Sequence, residues 1–203
     1  MLDLTNRIRY NKSDRNQLKK LKKKYGGNYT VDTWKDGENA TKKVKRKISF
    51  QLHTYQKYRC VYCERSLVGI DKQIDHIAPK HINAEYTFEA INLAYACGLC
   101  NGTSKKGQNP TIANNNGYYH QHDFSIVHPY LNNPAAHIAY QDADRIYLDI
   151  PNCSPEGVNT IGMFDFDEDE MTIFRAKTLK NERDNPIDDD TLKSLILKAV
   201  AYK

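Results

Sequence analysis

A chain of 203 residues with 27% charged residues, a net charge of +5 and a mean hydropathy of −0.76 has room for one sizeable core, or for a small core beside a metal-stapled module. The sequence has no run of about 18 apolar residues to span a membrane. The stretch MLDLTNRIRY lacks the basic-then-apolar pattern of a signal peptide, so no membrane association and a cytoplasmic location are expected. The charge is unevenly spread. Residues 1–60 carry 17 Lys and Arg against 5 Asp and Glu, residues 61–107 carry 5 of each, and residues 108–203 carry 8 against 15. A basic arm suits an anionic polymer, because each phosphate contact releases counterions. A solvated, lysine-rich helix face is the plainer alternative.

In chain order, Leu18, Leu21 and Tyr25 at helical spacing predict a short basic helix over 14–25, ended by Gly26 and Gly27. Residues 26–39 read as a loop. Val44, Ile48, Leu52 and Tyr55 predict a second helix over about 40–58, with lysines crowding its first half. Residues 72–77 (KQIDHI) read as a strand, and Pro79 forces a loop after it. A short helix is expected over 84–91, and another from about 98 until Gly107 stops it. The composition of QNPTIANNNG at 108–117 is that of a loop. YYHQHDFSIV and RIYLDI carry strand-type residues, and 158–175 reads as a hairpin about Asp167–Glu170. The stretch 188–202 predicts a helix with Leu192, Leu195, Ile196 and Ala199 on its apolar face. The expectation is an α+β fold in three segments: a basic helical arm (1–58), a cysteine-rich module (59–107) and an acidic mixed extension (108–203), packed together.

Five cysteines are present, four of them in Cys-x-x-Cys pairs: Cys60 and Cys63 in RCVYCER, Cys97 and Cys100 in ACGLCNGTSKKG. In a reducing compartment such pairs favour metal thiolates over disulfides. Four thiolates give tetrahedral zinc with no open position, so the ion would be structural and clip 60–63 to 97–100. A redox pair or four coincidental buried cysteines are the alternatives. Cys153 reads as an ordinary small residue.

Between the pairs lie Asp75 and His76 in QIDHIAPKH and Asn92 in INLAYA, and Asn101 follows the last paired cysteine. Neighbours in a regular strand point to opposite sides, so Asp75 and His76 can flank one ion only at a strand end. A neutral imidazole can take a proton from water, and an amide oxygen suits a hard ion such as Mg²⁺. Lys105, Lys106, Lys80 and Arg65 are candidate phosphate contacts, each with a solvated surface role as its alternative. His81 has no place in the pattern. His120 and His122 sit at strand spacing without partner carboxylates.

Residues 60–107 resemble the HNH nuclease family. The resemblance implies a ββα-metal fold, with His76 at the end of its first strand as the general base that activates water against a phosphodiester. It implies Asp75 and Asn101 as ligands of Mg²⁺ or Mn²⁺, and Asn92 as the residue that braces the loop and orients the histidine. The third motif residue is Asn101 where the family often has His. More finely, YRCVYCER, DHIAPK, CGLCN and the downstream DFSIVHPYLNNPAAHIAY are similar to the small HNH proteins of Septu-type and retron-associated anti-phage systems. Such proteins work with a separate ABC-type ATPase, for which the acidic half would be a docking surface. The expected activity is DNA cleavage, with a second copy of the chain or a second binding event needed for a double-strand break. An RNA-cleaving nuclease and a catalytically silent zinc-ribbon scaffold are the alternatives.

Overall fold

The computed structural model describes residues 1–184 and Ser194, so the helix expected over 188–202 lies outside the described residues, Ser194 apart. The chain is a mixture of helices and two small antiparallel sheets, an α+β architecture.

Helix α1 (Lys12–Lys24) opens on a capping box in which Asn11 and Asp14 satisfy each other's backbone amides. Its Leu18 and Leu21 are buried, and Asp14 also receives Lys47 of α2 at 2.7 Å. Helix α2 (Asn39–Tyr55) buries Thr41, Val44, Ile48 and Leu52, one face of a 3.6-residue repeat. Each of the three aliphatic side chains contributes about 1.5–3 kcal/mol of burial. Between the helices the expected loop holds a 3₁₀ turn, Val31–Lys35, pinned by the exchange of hydrogen bonds between Thr30 and Thr33.

Strands β1 (Lys72–His76) and β2 (Leu93–Cys97) pair antiparallel, with Lys72 opposite Cys97 and His76 opposite Leu93. Every residue of β2 is buried, whereas β1 is buried only at Asp75 and His76. A four-residue helix α3 (Gly98–Asn101) follows β2 directly. The helix expected through residue 106 ends there because Gly102, Thr103 and Ser104 are poor helix formers, and a series of turns replaces it. The helix expected over 84–91 shrinks to a 3₁₀ turn, Ala84–Tyr86.

The C-terminal half departs furthest from expectation. The loop at 108–117 contains β3 (Ile112–Asn114), which pairs with the two-residue β4 (Asp123–Phe124). RIYLDI supplies only an isolated bridge from Leu148 to Tyr140. The hairpin over 158–175 is instead two helices, α4 (Pro155–Phe164) and α5 (Asp169–Asp184). Ser154 caps α4 by accepting from Gly157 N, Pro155 takes the first helical position, and Gly157, Thr160, Ile161 and Phe164 form the buried face. Asp169 and Glu170 lie at the electropositive start of α5, where carboxylates stabilise a helix. Strand-type residues there follow a helical period. The period decides.

One cluster of buried apolar residues draws on all three segments: Leu18, Ile48 and Leu52 from the arm, Val61, Tyr62 and Leu93 from the module, and Val127, Ile161 and Phe164 beyond it. No helix among the described residues is long and apolar enough to cross a membrane.

Candidate functional site

The two Cys-x-x-Cys turns meet. An Arg59–Ser66 bridge closes the first, with Cys60 N donating to Arg65 O at 2.8 Å, and Cys97 caps α3 at the second. The four sulfurs of Cys60, Cys63, Cys97 and Cys100 lie within 4.8 Å of one another, and three of the four cysteines are buried. Backbone amides are already aimed at sulfur, Cys97 N at Cys60 Sγ and Cys100 N at Cys97 Sγ, each at 3.4 Å. The thiol acidities split widely. Cys97 is held far below its ordinary value, chiefly by hydrogen bonding with Cys100, while Cys100 is pushed far above, chiefly by its hydrogen bond with Cys60. Four soft donors that cannot all ionise beside one another call for a cation, and a tetrahedral zinc ion fits them.

Strand β1 then presents two faces. On one, Asp75 is buried, accepts a short hydrogen bond from Tyr62 Oη, and accepts from Lys106 Nζ at 2.9 Å. Lys106 is fully buried and also donates to the His76 carbonyl at 2.8 Å. On the same face two residues earlier, Gln73 Oε1 accepts from Asn101 Nδ2 at 2.7 Å. This face is joined to the four-cysteine frame through Tyr62, whose ring stacks on Phe164 at 4.2 Å.

The opposite face carries His76. Its Nε2 lies 3.1 Å from Thr87 O. A carbonyl only accepts, so the neutral ring holds its proton on Nε2 and its lone pair on Nδ1. Nδ1 makes no hydrogen bond with any described residue, and although His76 is only 4% exposed this atom is not fully sealed. The ring packs edge-on against Trp34, with centroids 4.6 Å apart. Burial, and then the Lys80 charge, pull the His76 pKa down to about 3. Lys80 is itself lowered, first by burial, and has no ion-pair partner among the described residues.

Asn92 ties the intervening loop shut. Fully buried, its Oδ1 accepts from Ala78 N at 2.6 Å and from Tyr119 Oη at 2.7 Å, while its Nδ2 donates to Ala78 O and Tyr86 O. Apart from the bond from Tyr119, its side-chain hydrogen bonds go to the segment between His76 and β2, so it touches the site through that loop.

Several expected site residues stand elsewhere than the spacing implied. Asp75, His76 and Asn101 do not converge on one point. β1 stays regular through His76, so strand alternation sends Asp75 and His76 to opposite sides. The Asp75 carboxylate is matched by Lys106 and Tyr62, and the Asn101 amide is held by Gln73. As arranged, these donors do not form a cradle for a hard divalent ion. Lys106 is not a surface phosphate contact, because its ammonium is buried on Asp75. Lys105 donates to Phe164 O at 2.7 Å and Asp165 Oδ2 at 2.8 Å, with a side chain 10% exposed, and so fastens the module to α4. Arg65 lies over the Phe174 ring at 4.7 Å with its Nε buried and unpartnered. Of the four expected phosphate contacts, only Lys80 stands beside His76 without a partner. His122 is buried between Tyr86 Oη and Asn116 N, whereas His120 is exposed and stacks on Tyr118. They share no metal position, and the cysteine cluster is the one set of metal-binding side chains of its kind among the described residues. Cys153 is an ordinary half-buried residue that accepts from Ala139 N at 3.3 Å.

Trp34 and Tyr62 were not among the expected site residues. Both are aromatic and close to a motif residue in space, but only Tyr62, inside CVYC, is close to one in sequence.

Residues 60–107 match the family model described as HNH endonuclease. Comparison with curated proteins and with solved structures gave no match. The matched segment holds the four-cysteine frame, β1, β2, α3 and the whole of the His76 loop, and it supports a nuclease of the HNH type.

Proposed function

We propose that this protein hydrolyses phosphodiester bonds in nucleic acid, with His76 as the group that takes the proton from the attacking water. One observation carries this: within the HNH-matched segment, His76 stands at the end of β1 with Nε2 fixed on the Thr87 carbonyl and Nδ1 left without a hydrogen bond to any described residue. An imidazole pulled down to about 3 is neutral at physiological pH, as a base must be. It is also a weak base. An arriving phosphodiester anion raises its proton affinity, because an opposite charge favours the imidazolium. Nδ1 then accepts a proton as the water oxygen bonds to phosphorus and the bond to the departing oxygen breaks. Lys80, half-buried beside the ring, is placed to meet charge on the phosphate.

The Asp75 and Asn101 donors implied by the HNH resemblance remain candidates for Mg²⁺ or Mn²⁺. Their recruitment requires Lys106 to leave Asp75. DNA is the proposed substrate, on the strength of the resemblance and the basic arm. A role as effector of an anti-phage system beside an ABC-type ATPase rests on the resemblance of the downstream segment, and co-purification from cells that express its genomic neighbours tests it.

The activity itself is tested by incubating purified protein with plasmid, single-stranded DNA and structured RNA in Mg²⁺, Mn²⁺ or EDTA. Cutting of DNA that EDTA abolishes is the expected result. Cutting of RNA alone would replace the substrate. No cutting of any of the three, with zinc bound and the fold intact, would leave the zinc-ribbon scaffold as the better account.

A further inference from the structure

We infer that Tyr119 and His128, both beyond the HNH-matched segment, are positioning residues that set the His76 loop through Asn92; this rests on His76 being the proton acceptor.

Two backbone points locate the His76 ring: the end of β1, which carries it, and Thr87 O, which accepts from its Nε2. The Asn92 side chain spans the two. Its Oδ1 accepts from Ala78 N and its Nδ2 donates to Ala78 O, just past His76 in the chain. The same Nδ2 donates to Tyr86 O, the carbonyl directly before that of Thr87. One amide thus ties the exit of the strand to the acceptor of the ring.

Asn92 Oδ1 takes its second hydrogen bond from outside the matched segment, from Tyr119 Oη at 2.7 Å. His128 fixes the direction of that bond. Tyr130 N donates to His128 Nδ1 at 3.2 Å, and burial keeps the ring neutral by pulling its pKa down to about 3. The single ring proton is therefore on Nε2, which donates to Tyr119 Oη at 3.1 Å. The hydroxyl accepts there and sends its own proton to Asn92 Oδ1. A turned-over Asn92 amide would set its NH₂ against two donors, Ala78 N and Tyr119 Oη, and its oxygen against two carbonyls. His128 and Asn92 are fully buried and Tyr119 is 4% exposed, so a lost partner is not replaced by bulk water. The Tyr119 ring is placed independently of its hydroxyl, edge-on to Tyr86 at 4.9 Å and tilted on Phe124 at 5.4 Å. Thr111, also beyond the segment, donates from Oγ1 to Ile77 O at 2.7 Å. The extension therefore grips the His76 loop at its start and, through Asn92, across its span.

A tyrosine that merely filled core volume would leave the site unchanged when only its hydroxyl is removed. Wild-type protein, Tyr119→Phe and the core truncation Ile161→Val in α4 are compared at matched zinc content. Histidine side-chain ¹H–¹⁵N spectroscopy, with His76 assigned through His76→Ala, reads the exchange of its Nε2 proton with water. In parallel, kcat and KM are measured on the cleaved substrate. In Tyr119→Phe the His76 proton is expected to exchange about tenfold faster, and kcat to fall by about tenfold with KM little changed. Ile161→Val is expected to lose stability with both readouts unchanged. Wild-type exchange at His76 or wild-type kcat in folded Tyr119→Phe would overturn the inference, and so would an equal change in Ile161→Val. Two further variants cover the case in which Tyr119→Phe does not fold. The amide nitrogen of His128→Gln lies as many bonds from the backbone as the histidine Nε2 and can donate to Tyr119, whereas His128→Leu donates nothing. Both readouts should stay near wild type in His128→Gln and move in the Tyr119→Phe direction in His128→Leu; equal behaviour of the two overturns the inference. Wild-type protein that cuts nothing would count against the proposed nuclease activity, and the His76 proton exchange would still decide whether Tyr119 sets the loop.

Discussion

The two faces of β1 differ in what they leave free. On the Asp75 face the charges are paired and the main donors are taken up: Asp75 with Tyr62 and Lys106, Asn101 Nδ2 with Gln73, and the strand end with Lys106. On the His76 face one ring nitrogen and one ammonium have no partner. Five residues of strand thus separate a closed, load-carrying side from an open one, and the alternation of the pleat does the separating. Charge that is paired and buried holds the fold together. Charge and lone pairs that are held in place and left unpaired are available for chemistry.

Denying the four cysteines a metal ion has the largest expected effect. A structural zinc ion on thiolates is worth about 10–16 kcal/mol in small domains. Strong chelation, or Cys60→Ser, is therefore expected to abolish the cooperative thermal transition; a normal transition with no zinc in the protein would remove the frame from the account. Next comes Lys106→Met, which leaves the Asp75 carboxylate buried without its cation and is expected to cost about 3–5 kcal/mol in urea unfolding. Adding Asp75→Leu to it should return part of that loss. In Lys106→Met alone, Mg²⁺ or Mn²⁺ should raise the melting temperature more than in wild type, because Asp75 is then free to take an ion. An equal response in both proteins would argue against any metal role for Asp75.

Acid provides a smaller perturbation. Burial pulls both His76 and His128 down to about 3 from an ordinary 6.5, so between those values the unfolded chain takes up protons that the folded chain refuses. Stability therefore rises with pH across this window and is lost as pH falls through it. His128→Gln, which removes one of the two groups and leaves His76, should partly flatten the melting temperature against pH over the same range. The smallest expected effect contrasts two lysines. Lys80→Ala should weaken nucleic-acid binding a fewfold and reduce the logarithmic salt slope by about one. Lys105→Ala should leave binding unchanged, because its ammonium is already spent on Phe164 O and Asp165.

The sequence disclosed the parts of this site that rest on spacing. Two Cys-x-x-Cys pairs can meet in few ways, and Val44, Ile48 and Leu52 at helical spacing predict the buried face that α2 shows. Asn92, which the resemblance made a loop brace, is buried and hydrogen-bonded to Ala78, Tyr86 and Tyr119. What stayed hidden depends on contacts between residues far apart in the chain. Nothing in SKKG distinguishes Lys106, sealed on Asp75, from Lys105, which reaches across to α4, because both are lysines in one polar turn. Trp34 lies in a stretch whose Gly, Asn and Asp content reads as loop, and its partner His76 is more than forty residues away. In α4 and α5 the β-branched and aromatic residues suggested strands, while Ser154, Pro155 and a helical period set the outcome.

The central claim is that His76 does chemistry while the rest of β1 serves the fold. It is tested most directly by measuring cleavage and urea stability of His76→Ala beside wild type at equal zinc content. The account predicts a cleavage rate lower by about a hundredfold or more, with zinc retained and the unfolding midpoint changed little compared with Lys106→Met. A His76→Ala protein that cuts at the wild-type rate would contradict it.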